Sequence, residues 1–324
     1  MNSLAELLDP PAAWPDEGVA AWWRRAAPHV SDGPAQTALR LGARADRLAY
    51  AFAGGYQAAL TRLVPGRDSA RLAALCATEK AGVHPSAITT RFVDGRVTGD
   101  KTFVTLAGFA EDLLVLAREG TSADGRARLA LVQVRAEAAG VQLTPLPELP
   151  FVPEIGHASL ALDSVVGSRL PGDGWSDHVR PFRTHEDIYV HIALMAWLIA
   201  GSRRRMGAGS GGRVIERTIE RTIERGLALL HALLDLAGRD ASEPETHLAL
   251  AGLIHTVADW VDEVSFEGAP PEQQERWRRD RRLMQVASKA RERRRTRAWE
   301  LSEPDPHDQH GREDEHSNDR RGEP

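Results

Sequence analysis

Apolar residues recur at two different spacings along this 324-residue chain, and the change of spacing divides it. Up to about residue 75 the period is helical. A short Trp-bearing segment at 20–27 is followed by Leu39, Leu41, Leu48, Phe52, Tyr56 and Leu60, whose intervals mostly suit one face of a helix over 34–63. Pro65-Gly66 predicts its end, and 67–77 reads as a further helical stretch carrying Leu72 and Leu75. The pattern then turns to short β-branched and aromatic runs. TTRFVDGRVTGDKTFVTL carries turn signals at Asp94-Gly95 and Gly99-Asp100, and DLLVLARE, ARLALVQVRAE and ASLALDSVV continue the series. No long helical pattern separates these runs, which predicts a compact β domain, barrel or sandwich, rather than a βαβ sheet.

Helical spacing returns near residue 185. Four helices are expected, at 186–205, 214–237, 243–264 and 272–300, divided by GAGSGG, GRDASEPE and GAPP. They suit an antiparallel bundle. In VIERTIERTIER, Ile215, Ile219 and Ile223 stack on one face while alternating charges offer i,i+4 pairs, the pattern of a solvated helix. Beyond Leu301 there is little apolar content to bury, and 302–324 reads as a disordered polar tail.

Composition sharpens the picture in three places. The single cysteine, Cys76, excludes an internal disulfide and a Cys-rich metal site, and fits a reducing compartment. The start, acidic and broken by prolines, does not read as a signal peptide, and the most apolar run, 192–200, is too short to span a bilayer, so cytoplasm is expected. The net charge of -5 is uneven: 276–297 holds eleven Lys/Arg against two acidic residues, and 303–323 eight acidic against three basic. A basic helix with Trp277 and Trp299 is a shape that can meet nucleic acid. Leu283, Val286, Ala287 and Ala290 instead supply an apolar seam for bundle packing, and no nucleic-acid module is present.

Two stretches of the middle third carry a resemblance. Thr78-Glu79-Lys80 is followed by Thr90, twelve residues after Thr78, and Gly99-Asp100-Lys101-Thr102-Phe103-Val104-Thr105 follows on a strand-turn-strand. With LALDSVVGSRLPGDGW, they resemble the Thr-Glu-Pro, Gly-x-Lys-x-Trp-Ile-Thr and closing glycine segments of the acyl-CoA dehydrogenase family. The resemblance covers about 70–175 well and the helical remainder loosely. It implies an α+β fold of that type: a short N-terminal helical region (1–75), a central β-barrel or sandwich domain (76–180) and a C-terminal helical bundle (181–301). It also implies an FAD cofactor, with Leu75, Ala77, Thr78, Phe103 and Thr105 around the flavin. An oxidised isoalloxazine needs a flat apolar wall and donors near its heteroatoms, which Phe103 and the two threonine hydroxyls can supply. The family further implies an acyl thioester substrate, an electron-transfer partner and a homodimer or homotetramer.

Three departures bear on activity. Val83-His84-Pro85 stands where the family has Gly-Ser-Asp, replacing a tight turn by a stiffer one, and His84 is the residue there able to donate to a flavin or relay a proton. Arg279-Asp280 match the family's Arg-Asp helix start, yet Ser288 holds the place of the glutamate base, and a serine hydroxyl is too weak to replace it. Glu292 is one turn further on, and Glu186, Glu263 and Glu267 are the alternatives elsewhere. The family's Arg followed by Phe-Gly is missing, with SRRRMGAGSGG in its place. Arg203 to Arg205, or those from Arg276, suit the phosphates of coenzyme A or FAD. The expectation is a flavin-dependent oxidoreductase acting on an acyl thioester. The alternatives are a non-catalytic scaffold or partner subunit, and a flavin monooxygenase of the same superfamily.

Overall fold

The computed structural model of the protein describes residues 4–30, 33–207 and 213–302. Four helices open the chain: α1 (Ala5–Leu8), α2 (Val19–Ala26), α3 (Pro34–Arg44) and α4 (Leu48–Leu63). The single helix expected over 34–63 is two, because Arg47 is extended and its buried guanidinium binds Asp16 at 2.8 Å, Asp46 at 2.9 Å and Glu154 at 3.0 Å. The stretch 67–77 is not helical. Its apolar residues 73–76 form strand β1 (Ala73–Cys76), stabilised by a parallel partner distant in sequence.

Seven more strands follow: β2 (Arg91–Val93), β3 (Arg96–Thr105), β4 (Asp112–Thr121), β5 (Ala127–Arg135), β6 (Val141–Pro145), β7 (His157–Val166) and β8 (Ser168–Arg169). All eight join one curled sheet in the order β6-β7-β3-β2-β4-β5-β8, with β1 paired to β4. Strand β4 is buried on both faces. Leu113, Val115 and Ala117 enter the sheet's own core, whereas Leu114 joins the helical core and Leu116 packs beside Val179. That two-sided burial explains why DLLVLA is a continuous apolar run rather than an alternating one.

The C-terminal half holds α5 (Arg180–Gly207), α6 (Arg213–Leu236), α7 (Pro244–Glu263), α8 (Pro271–Asp280) and α9 (Ser288–Ser302). The helix expected over 272–300 is interrupted by a 3-10 turn, Arg281–Gln285, and by Ala287 at φ 64°. The expected seam there is only partly packed: Leu283 lies against the core, while Val286 and Ala287 are exposed. Trp277 is buried in an aromatic cluster, its ring 4.9 Å from Phe266. In α6, Ile223 is buried and Ile219 half-buried, so that face is not solvated; the side chain of Ile215 lies outside the described residues. Of the expected tail, 302–324, Ser302 closes α9, and the rest, 303–324, with the glycine break at 208–212, also lies outside them.

Helices α3 and α4 pack on α5 in one continuous core, so the first and last thirds of the chain form a single helical body. Their approach is close: a Cβ on Gly55 would stand 2.6 Å from the Cα of Val190. Residues 192–200 of α5 are buried throughout, which is why that stretch is apolar on every side. Among the described residues no helix is long and apolar enough to cross a membrane.

Candidate functional site

A cleft of about 180 Å³ opens between the β domain and the first turns of α5. Its sheet side begins at the end of β1. The Leu75 N–H donates to the Tyr56 hydroxyl at 3.0 Å, and the Tyr56 ring meets Phe182 edge-on at 5.7 Å, which seats β1 against α4 and α5. Ala77 and Thr78 continue the wall. The Thr102 N–H donates to the Thr78 carbonyl at 2.9 Å, joining this segment to β3.

Beneath that junction lies a buried ion pair. Lys101 Nζ donates to Glu79 Oε1 at 2.7 Å and to the Leu116 carbonyl at 2.6 Å. Glu79 also accepts from the N–H groups of Thr89 and Thr90 and from the Thr89 hydroxyl. Burial by itself would raise the Glu79 carboxyl, but the Lys101 and Thr89 hydrogen bonds outweigh it and hold the group at about 2.

Strand β3 supplies the opposite wall. Its register against β7 shifts between Lys101 and Val104, and both of these residues turn inward. The irregularity leaves Phe103 45% exposed at the cleft, stacked on His157 with ring centroids 4.3 Å apart. Such irregularities re-aim side chains next to functional sites. Thr105 follows on the same wall. The hydroxyls of Thr78 and Thr105 carry no hydrogen bond among the described residues.

The fourth side is α5 and the turn before it, where Val179, Phe182, Arg183 and Glu186 face the cleft at helical spacing. Burial, then the neighbouring Asp187, pushes the Glu186 carboxyl up to about 7, against the opposing pull of Arg183, Arg294 and Arg291. Arg183, one turn earlier, is lowered by burial. Among the described residues Glu186 accepts no hydrogen bond. It is a carboxyl poised near neutrality beside an aromatic wall and two free hydroxyls, an arrangement able to move a proton next to a planar ligand.

Five of the six residues singled out in the sequence meet here: Leu75, Ala77, Thr78, Phe103 and Thr105. His84 does not. It is exposed, and its Nδ1 lies 2.8 Å from Ser86 Oγ while capping the short turn at Pro85–Ala87; Val83 lines the cleft instead. Ser288 and Glu292 line a different cavity, of about 520 Å³ between α7 and α9, that shares no residue with the cleft. Asp280 is buried and accepts from the Val152 N–H at 2.8 Å and from Arg279 at 2.6 Å, so this Arg-Asp pair fastens α8 to the loop before β7. Glu263 pairs with Arg225, and Glu267 is exposed. Arg203 and Arg204 bind carbonyls of the first helical segments, and Arg205 covers Phe266 at 4.7 Å; none of the three reaches the cleft. Tyr56, Phe182 and Arg183 were not anticipated. The signal available for Arg183 and Glu186 was a charged cluster, Arg183 to Asp187, leading directly into the most apolar run of the chain.

No known family's sequence profile and no curated protein matches the chain. Solved structures do. PigA with FAD and proline aligns with TM-score 0.60 at 16% identity, over 87% of this chain and 90% of that one. A glutaryl-CoA dehydrogenase from Mycobacterium smegmatis in complex with FADH2 aligns with TM-score 0.59 at 10% identity, over 92% and 89%. FkbI, for biosynthesis of a methoxymalonyl extender unit, aligns with TM-score 0.57 at 21% identity, over 84% of each chain. The chain has the acyl-CoA dehydrogenase fold. Within that fold, helices, curled sheet and helical bundle follow one another in the expected order, and the cleft lies where sheet and bundle meet.

Proposed function

We infer that this protein is an FAD-dependent oxidoreductase acting on an acyl thioester, with Glu186 as the base that removes the proton beside the thioester carbonyl. The observation carrying this reading is the meeting, in one cleft, of the exposed face of Phe103, the free hydroxyls of Thr78 and Thr105, and a carboxyl raised to about 7. The similar folds whose descriptions include FAD or FADH2 support the choice of cofactor.

The residues present fit a flavin ring. Phe103 backed by His157 forms a flat apolar wall, and Thr78 and Thr105 place donors at its edge. At about 180 Å³ the cleft is smaller than the ~300–1,000 Å³ that encloses a whole organic ligand, so it would hold the ring rather than the whole cofactor. Bound FAD supplies the acceptor for a hydride leaving the β-carbon of the substrate. Glu186, ionised, takes the α-proton onto its carboxylate. Arg183, one turn before it, favours the charged form of that carboxylate. Tyr56 and Phe182 exclude water from the floor. Ser288, in another cavity, takes no part. In this reading an electron-transfer partner carries the electrons onward, and the chain works in the cytoplasm as a homodimer or homotetramer.

The test is the visible spectrum of the purified native protein after addition of FAD and removal of the excess. Oxidised flavin bands retained at about one per chain, and bleached by an acyl thioester, are expected; Glu186→Gln should keep the bands and lose the bleaching. Absence of retained flavin would overturn the assignment in favour of a non-catalytic scaffold, the reading that the stiff Val83-His84-Pro85 segment favours.

A further inference from the structure

Helix α9 runs along a second cavity, of about 240 Å³, that adjoins the cleft and shares Arg183 with it. Five guanidinium groups line it, Arg180 and Arg183 from α5 and Arg293, Arg294 and Arg297 from α9, and none of the described residues lining it is acidic. Two of the five already hold carboxylates. Arg294 pairs with Asp187, which also binds Arg291 at 3.0 Å, and Arg297 pairs with Glu300 at 3.0 Å. Arg180, Arg183 and Arg293 have no carboxylate at ion-pair distance among the described residues; Arg293 donates to the Lys289 carbonyl of its own helix at 3.3 Å. Burial lowers Arg183, and Arg294 and Arg293 deepen the effect that Glu186 and Asp187 oppose. Like charges gathered in this way repel one another, and the fork of a guanidinium matches a carboxylate.

The chain itself carries the complement. Leu301 lines the same cavity and α9 closes at Ser302, so residue 303 follows at its rim. Between 303 and 315 stand six acidic residues, Glu303, Asp305, Asp308, Glu313, Asp314 and Glu315, against one basic, Arg312. We propose that the segment 303–315 folds back along α9 and sets its carboxylates against Arg180, Arg183 and Arg293. The reach is sufficient. The helical rise from Arg293 to Ser302 is ~14 Å, which about five extended residues cover. A segment tethered at the rim meets the arginines at a millimolar effective concentration, so weak individual contacts hold it there. An acidic partner protein would have to reach the same arginines from solution against that competitor. Asp187 already joins α5 to α9 through guanidinium groups, and the segment extends the same chemistry to the arginines that Asp187 leaves. Because Arg183 belongs to both cavities, the docked segment covers the cleft on its arginine side. The contact does not depend on what the cleft binds.

The experiment follows cleavage of the full chain after Glu313 and Glu315 by a Glu-specific protease at low salt, with the cut identified by mass. Arg180→Gln/Arg293→Gln changes two exposed positions and is expected to fold normally. It should be cut there roughly tenfold faster than wild type or more. Arg278→Gln/Arg282→Gln, at exposed arginines outside the cavity, should be cut at the wild-type rate. A second measurement titrates the peptide 303–315 calorimetrically into the full chain carrying E303Q, D305N, D308N, E313Q, D314N and E315Q. Binding is expected there. It should be roughly tenfold weaker to wild type, whose own segment competes, and as much weaker once Arg180→Gln and Arg293→Gln are added. Equal cleavage of wild type and the cavity variant, or peptide affinities within twofold across the three proteins, overturns the proposal. So does faster cleavage in Arg278→Gln/Arg282→Gln alone, which would put the segment on α8. Protection that rises with protein concentration would assign the segment to a second copy and likewise overturn the contact within one chain.

Discussion

Lys101 Nζ stands 2.7 Å from Glu79 Oε1, and the pair joins the segment carrying Thr78 to the strand carrying Phe103 and Thr105. Both side chains are buried, so the two walls of the cleft are tied from beneath by one ionic contact and the hydrogen bonds around it. Removing the cation leaves a carboxylate without its partner in a dry site, the costly way to break such a pair. Lys101→Met is expected to lower stability by about 3–5 kcal/mol, read as a drop in the urea midpoint at unchanged slope. The double variant Glu79→Gln/Lys101→Met should recover part of that loss.

The same pair sets an acid limit. Glu79 is held at about 2 against an ordinary value of 4.5, so the native state binds its proton less readily than the unfolded chain does. Its contribution is present above about 4.5 and is lost as pH falls toward 2. Acid unfolding of Glu79→Gln should therefore show a shallower dependence on pH in that window than wild type.

Glu186 works in the opposite sense. Raised to about 7 from 4.5, it favours the folded state most below 4.5, and that contribution is lost as pH rises through 7. Glu186→Gln is expected to match wild type at pH 4 and to exceed it by about 1–2 kcal/mol at pH 8, by thermal unfolding at each pH. Turnover should fall by roughly 10²–10⁴-fold, and the wild-type rate should rise with pH through a limb near 7. A stabilised and inactive variant is the signature of a strained catalytic group rather than a structural one.

Phe103 tests the proposed flavin wall with little risk to the fold. At 45% exposure its truncation removes little buried area, and Phe103→Ala should cost under about 1 kcal/mol. FAD retention should weaken at least tenfold, measured by dialysis of the loaded protein. Full retention would place the ring elsewhere.

Asp280 should behave as a purely structural residue. It satisfies the Val152 N–H and Arg279 from a buried position, so Asp280→Ala is expected to destabilise by about 2–4 kcal/mol. The flavin content of the folded fraction should be unchanged, as read from its absorption spectrum.

Local pattern determined much of the architecture. The switch from helical spacing to short β-branched runs and back marks three regions, and Thr78, Phe103 and Thr105 stand in segments whose composition already suits an apolar wall edged by hydroxyls. These features rest on periodicity and residue type, which neighbouring residues express without a fold. Tertiary structure decided the rest. Residues 73–76 became a strand because β4 offered a parallel partner almost forty residues away, and Phe103 turned outward because β3 slips against β7. Lys101 and Glu79, twenty-two residues apart, became a buried pair only when the sheet closed over them. Likewise Glu186 came to the cleft, rather than Ser288 or Glu292, because α5 passes beneath the sheet while α9 packs on α7. Each of these depends on a partner that is near in space and far along the chain, and spacing within a segment carries no record of it.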